Sequence, residues 1–246
     1  AVAETLNDGG RLIVEAGTGV GKSLAYLLPS AIYAAQNNKR VVVSTNTINL
    51  QEQLVHKDLP MLIDALSSEP ELSGLNLEYT QLKGRSNYLC IRKWQHLRSQ
   101  ENLEETEARL VAKTLLWLRS TDTGDRAEIN LGGWASAAPW DRISAQNDCN
   151  ATGNTCFLRA ARDRAAAAHI VVVNHALLLS DLAMGGSVIP DYDILIVDEA
   201  HHLEKEATSQ LGFELPQSAF DDHFQVLGGD RGLLNDAVAA VGRSDL

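Results

Sequence analysis

The chain has 246 residues, 45% of them hydrophobic, and a formal charge of −11 from 21 Lys and Arg against 32 Asp and Glu. That is enough for one large domain or two small ones with a buried core. The acidic balance excludes a uniformly basic nucleic-acid surface and leaves room only for a local groove lined by a few Arg and Lys. No leader pattern and no run of about 18 apolar residues occurs, so a cytoplasmic chain without a membrane span is expected.

In chain order, "RLIVEA" from Arg11 is the first of four apolar, β-branched runs, followed by "RVVVST" from Arg40, "HIVVVNH" from His169 and "DILIVDEA" from Asp193. Such runs predict strands buried on both faces of a parallel sheet. Between the first two, "KSLAYLLPSAIYAAQNN" repeats apolar residues at helical spacing and ends in Asn37 and Asn38, good helix-stop residues. Pro29 predicts a kink in that helix rather than its end. After "RVVVSTNT", the stretch "INLQEQLVHKDLPMLIDALS" predicts another helix, and the alternation of strand and helix predicts a Rossmann-like α/β core. From Gly84 to about Arg162 the strand pattern gives way to a charged amphipathic helix, "ENLEETEARLVAKTLLWLRS", and then to the Gly-, Asn- and Ala-rich "GGWASAAPWDRISAQNDCNATGNTC". This reads as an insertion between two strands. Leu203 to Leu246 reads as polar helix or loop in what is expected to be a fragment of a longer protein. No internal repeat is visible.

The chemistry concentrates in two places. In "AGTGVGKS", backbone N–H groups of a glycine-rich turn wrap a phosphate, a lysine reaches its outer oxygens and a hydroxyl takes Mg²⁺. Here Gly17, Thr18, Gly19 and Gly21 form the wrap, Lys22 is the cation and Ser23 the metal ligand, with Ala16 where the strict pattern has glycine. Placement at a helix N-terminus adds the helix dipole to the anion site. The bland alternative is a flexible turn beside a surface lysine. In "ILIVDEAHH", Asp198 and Glu199 end an apolar run, where one carboxylate can hold Mg²⁺ and its neighbour can orient or deprotonate a water. The alternative, an acidic turn capping the next helix, accounts for the charges but not for their position. His201 and His202 lack the H-E-x-x-H spacing of a zinc protease.

Taken together, "AGTGVGKS", "VVVSTNTINLQEQL" and "VDEAH" resemble motifs I, Ia and II of superfamily 2 helicases. "KGRSNYLC", "CFLRAARDRAAAAHIVVVNHALLLSDL" and "DEAHHLEKEA" resemble more specifically the DinG branch, relatives of the XPD helicases. The resemblance runs from about Gly9 to Leu211. It implies an α/β fold: a RecA-like P-loop NTPase parallel sheet with an inserted, mostly helical, cysteine-containing subdomain of the iron–sulfur type. Residues 1–83 and 163–206 would be the two parts of the RecA-like domain, 84–162 the insertion, and 207–246 the start of a further helical insertion. It also implies an ATP-driven motor that moves 5′ to 3′ on single-stranded or forked DNA and unwinds duplexes or R-loops in repair.

By the same resemblance, Lys22 and Ser23 bind phosphate and Mg²⁺, Asp198 the metal and Glu199 the water, while His201 couples nucleotide state to the DNA site. Thr45, Asn46 and Thr47 meet the DNA backbone, where hydroxyl and amide groups suit phosphate oxygens; local chemistry alone allows a helix N-cap equally well. Arg85, with Arg92, Lys93 and Arg98, lines a DNA channel or is the wet face of a helix. Trp94, Trp117, Trp134 and Trp140 either stack on bases or, the favoured reading, pack the insertion.

Cys90, Cys149 and Cys156 match three of the four thiolates that hold a [4Fe-4S] cluster in this family, and a fourth is missing. Asp148 or His96 could substitute, the site could be zinc completed by His96, or the thiols could be free or buried. A superfamily 2 motor also needs a second RecA-like domain with an arginine finger, whose absence costs about 10³ to 10⁵ in turnover. This segment alone is therefore expected to be nearly inactive. Alternatives to the helicase are an ATP-regulated single-strand exonuclease of the nuclease-fused DinG type, and a nucleotide and single-strand-binding module without turnover.

Overall fold

The computed structural model describes residues 1–17, 19–131, 139–146 and 156–212; Thr18, Trp134, Asp148 and Cys149 lie outside these. The chain opens with helix α1 (Val2–Asp8), packed against α2 (Lys22–Asn37). Gly21, at φ 83°, is the N-cap of α2, a left-handed conformation that glycine adopts without a Cβ penalty. The helix continues through Pro29 and ends at Asn37, with Asn38 left-handed at φ 50°.

Strand β1 (Val41–Thr45) leads to α3 (Ile48–Gln53), a π-helical turn (Leu54–Asp58) and α4 (Leu59–Ser68). Then come β2 (Tyr79–Gln81), α5 (Ile91–Arg98), α6 (Glu105–Trp117), α7 (Phe157–Ala167), β3 (Ile170–Asn174), α8 (His175–Ala183), β4 (Ile194–Val197) and α9 (Leu203–Leu211). The four strands form one parallel sheet in the order β2-β3-β1-β4. Among the described residues no helix is long and apolar enough to cross a membrane.

The strand expected at Arg11–Ala16 does not form. Residues 11–17 carry no regular structure, and Ile13 is 96% exposed. A β-branched run becomes a strand only where a neighbour supplies backbone partners, and among the described residues none pairs with it. Conversely β2, with three half-buried residues at the sheet edge, is too short to show a pattern in sequence.

Alternate residues of the strands serve opposite faces. Val41, Val43, Ile170 and Val172 pack with Leu27, Ala31 and Ala34 of α2 and Leu59, Leu62 and Leu66 of α4. Val42, Val171 and Val173 face Leu158, Ala161 and Ala165 of α7 and Leu177 and Leu178 of α8. Both faces are covered, which is why these runs are continuously apolar.

A third apolar cluster has its described buried members within residues 89–143, Leu89, Trp94, Leu97, Leu110, Trp117, Ile129, Leu131, Trp140 and Ile143, with Phe157 of α7 packed against it. The three described tryptophans are therefore packing residues, as favoured above, and Trp140 donates its indole N–H to the Ser86 carbonyl at 2.7 Å. Lys83, whose side chain is 1% exposed, joins this cluster to the sheet layer: its ammonium lies 2.5 Å from both Glu52 of α3 and Asp125. A buried lysine is tolerable only with such partners.

Gly124, at φ 63°, lies so close to Phe157 that an added Cβ would sit 2.3 Å from its ring. Gly124→Ala combines left-handed strain with a steric clash and should lose about 1–3 kcal/mol in urea denaturation. Gly84→Ala, whose Cβ would meet only Asn87 at 3.8 Å, is the control, and equal stability of the two variants would refute the assignment.

Candidate nucleotide site at the end of the sheet

Parallel register decides what meets at the carboxyl edge. Val41 of β1 stands opposite Ile170 of β3 and Ile194 of β4, so the strands climb in step. Thr45 is level with Asn174, and Ser44 with Val197, which places Asp198 one step further on. The Asp198 N–H donates to the Ser44 carbonyl at 2.9 Å, extending the ladder to the first residue of the acid pair. Loops leaving parallel strands at this edge converge on a crevice, the usual place for a ligand in an open α/β sheet.

There the glycine-rich loop and the acid pair meet. Lys22, the first residue of α2, donates to Glu199 Oε1 at 2.9 Å, and Tyr26, one turn on, donates to Asp198 Oδ2 at 3.1 Å. The Ser23 hydroxyl lies beside the same phenol. Asp198 Oδ1 accepts from the Glu199 N–H at 3.0 Å, fixing the carboxylate. Glu199 is left-handed at φ 53°, a strained setting for a residue with a side chain. His201 Nδ1 lies 3.5 Å from Glu199 Oε2, and its ring centre is 4.0 Å from that of His202, the two rings tilted by 42°.

These contacts set the protonation states. The hydrogen bond from Lys22, and then its charge, hold the Glu199 carboxyl below its ordinary value, and the same pairing raises Lys22. Burial, with Asp198 beside it, pushes the Tyr26 phenol far up, so it acts only as a hydrogen-bonding group. Tyr26 escaped the sequence reading. Its signal was its place one turn after Lys22 and Ser23, on the face they share.

Beside this site, Ser44 Oγ and His175 Nδ1 are 2.7 Å apart, both residues fully buried. Burial lowers the His175 pKa and keeps the ring neutral near pH 7. Leaving either partner unpaired would cost about 1–3 kcal/mol. His175 was also not singled out in sequence, although "VVVNH" ends an apolar run in polar residues just as "ILIVDE" does.

Among the residues expected at DNA, Thr45 is buried and its hydroxyl donates to the Thr47 carbonyl at 3.1 Å. Thr47 is the N-cap of α3, accepting the Leu50 N–H at 3.2 Å, so the capping chemistry is present at this triplet. Asn46 is half-buried, and Thr47 and Arg85 are exposed. Gln51 of α3 fixes the helix on the sheet by donating to the Val172 and Leu82 carbonyls at 2.8 and 2.9 Å.

Cys90 and Cys156 are the N-caps of α5 and α7 and pack on one apolar cluster; neither forms a disulfide. The chain has three cysteines, one fewer than the four thiolates an iron–sulfur cluster takes. Among the described residues no three His, Cys, Asp or Glu side chains converge as a metal-ligand set. The three thiolates are one fewer than such a cluster takes, Cys149 and Asp148 lie outside the described residues, and the chemistry derived for this chain uses no cluster. Mg²⁺ is different, because it needs only one or two protein ligands beside phosphate and water, and Asp198 and Ser23 converge on the Tyr26 phenol.

The family model described as DEAD/DEAH box helicase matches residues 1–91, and the one described as DEAD_2 matches residues 54–220. The chain is 39% identical over 235 residues to the ATP-dependent helicase DinG of Mycobacterium tuberculosis, covering 87% of this chain and 35% of that protein. It is 35% identical over 230 residues to the ATP-dependent DNA helicase YoaA of Escherichia coli, covering 87% and 34%. It is 34% identical over 215 residues to a protein of Bacillus subtilis named 3′-5′ exonuclease DinG, covering 86% and 22%. The chain therefore spans about a third or less of the length of these curated relatives.

The Lys22–Glu199 pair makes a first measurement specific. Both side chains are over a quarter exposed, so solvent screens the pair and the tether is a weak one. Glu199→Gln should then free Lys22 and tighten binding of a non-hydrolysable nucleotide by about two- to five-fold in calorimetry. With Glu199 shifted down and Lys22 up, the wild-type pair stays ionised and this gain should hold between about pH 6 and pH 9. Weaker nucleotide binding by the variant would show that Glu199 does not compete for Lys22.

Proposed function

We propose that this chain, which belongs to the DEAD_2 family of DEAD/DEAH-box helicases, is the ATP-binding half of a DNA helicase motor. One observation carries the reading: Lys22 and Tyr26 of one helix hold Glu199 and Asp198 at 2.9 and 3.1 Å, joining two chemically specific segments that are far apart in sequence. When nucleotide arrives, Lys22 exchanges Glu199 for phosphate oxygens, and the N–H groups around Gly17, Gly19 and Gly21 wrap the phosphate. Ser23 and Asp198 would hold Mg²⁺, which when bound would supply neutralising charge to the phosphate oxygens. Glu199, released from Lys22, orients the attacking water and takes its proton, with His201 beside it to sense the change.

Residues 1–83 and 163–206 form the RecA-like motor domain around the insertion at 84–162, and 207–246 begin a further segment. Asn46, Thr47 and Arg85 contact the backbone of single-stranded or forked DNA, with Thr45 supporting the loop from behind. A second RecA-like domain of the same parent protein closes over the nucleotide. The family match and the names of the relatives support the helicase reading. The Bacillus subtilis relative supports one other, in which ATP binding at the same site regulates a nuclease elsewhere in the parent protein.

Lys22→Ala in the full-length parent protein tests this. DNA-stimulated ATPase and unwinding should fall by at least about 100-fold, while the far-ultraviolet spectrum and single-strand binding persist. Unwinding that survives without Lys22 would reject the motor. Wild-type protein that degrades single strands under ATP control without unwinding would favour the nuclease reading.

A further inference from the structure

Ser44 makes two kinds of bond at the edge of the sheet. Its carbonyl accepts the Asp198 N–H at 2.9 Å, and its hydroxyl meets His175 Nδ1 at 2.7 Å. The next residue is Thr45, whose hydroxyl holds the Thr47 carbonyl. The main chain of Asp198 and Glu199 also lies against the imidazole. His175 is fully buried, and its second nitrogen, Nε2, makes no well-formed hydrogen bond among the described residues, the Asp198 and Glu199 main chain approaching the ring without reaching that geometry. A buried ring nitrogen left unpaired is expensive, and such groups in a native fold call for a functional explanation.

That explanation lies in the strained turn beside it. Glu199 is left-handed, and its side chain is tethered by Lys22 only while Lys22 has no phosphate to bind. We infer that His175 is a positioning residue which captures the relaxed Asp198–Glu199 turn through Nε2 and, through Ser44, passes the change to the Thr45–Thr47 loop. With Ser44 donating to Nδ1, the neutral ring carries its proton on Nε2 and donates it to a main-chain carbonyl of the turn. The link is reciprocal: a ligand that moves the loop biases the turn by the same coupling. The inference rests on the ATPase reading above and adds a route by which the nucleotide and DNA sites sense each other.

Two isosteric replacements separate this role from simple packing. Asparagine at 175 keeps a polar atom near Nδ1 for Ser44 and removes Nε2, whereas glutamine reaches the Nε2 position. In the full-length parent protein, His175→Asn should lower the DNA-stimulated kcat about ten-fold with KM for ATP changed less than two-fold, and His175→Gln should recover most of that loss. Melting temperatures of both variants should stay together. An active wild type whose His175→Asn variant matches it in kcat, or whose two variants fall equally in rate and melting temperature, overturns the inference. A wild type without DNA-stimulated ATPase instead fails the reading on which the inference rests.

Discussion

The register of β1 is the constraint on which everything else depends. Because Val41 faces Ile170 on one side and Ile194 on the other, three loops leave the sheet at a common height. The ladder carries on one bond past β4 to Asp198, so the acid pair is placed by backbone geometry before any side chain acts. A shift of β1 by one residue would turn Val41, Val42 and Val43 to the wrong faces and disrupt both apolar layers, so the hydrophobic packing enforces the alignment of the site. At the opposite end, Arg40 strengthens the same alignment by donating to the carbonyls of Ala166, Ala168 and Asp191, just before β3 and β4.

Two further ties extend from this frame. Gln51 and Glu52 are neighbours on α3, yet one is bonded to the sheet and the other to Lys83, which also holds Asp125. The helix that begins at Thr47 is thus connected both to the central strands and to the tryptophan-rich cluster within residues 89–143. Breaking either carboxylate contact would leave a buried ammonium poorly compensated, an expensive change in a low-dielectric setting. The proposed DNA-facing loop and the insertion are therefore parts of one packed network.

Much of this was legible in the sequence because burial on both faces writes continuous apolar runs. "VVVST" and "IVVVN" became strands buried on both faces, whereas "ILIV" became an edge strand that leaves Leu195 exposed, and Asn38 ended α2 in the left-handed conformation that asparagine tolerates. "RLIVEA" has the same composition and became no strand, since pairing is decided by a neighbour and not by the run itself. The meeting of Lys22 with Glu199 was foreshadowed by two recognisable segments. Tyr26 and His175 were not, because a tyrosine inside an amphipathic helix and a histidine after a strand carry no distinctive spacing. Their roles come from contacts with residues more than a hundred positions away.

The Lys22–Glu199 pair has a consequence for the end of a reaction cycle. Glu199 is a competitor tethered to the same molecule, presenting a carboxylate to Lys22 at an effective concentration far above that of free anions, about millimolar or higher. Any phosphate group that loosens from the lysine meets a replacement already in place, so rebinding is contested from within and departure is favoured. The acid that would activate water at the start of a cycle would thus hasten the exit of products at its close.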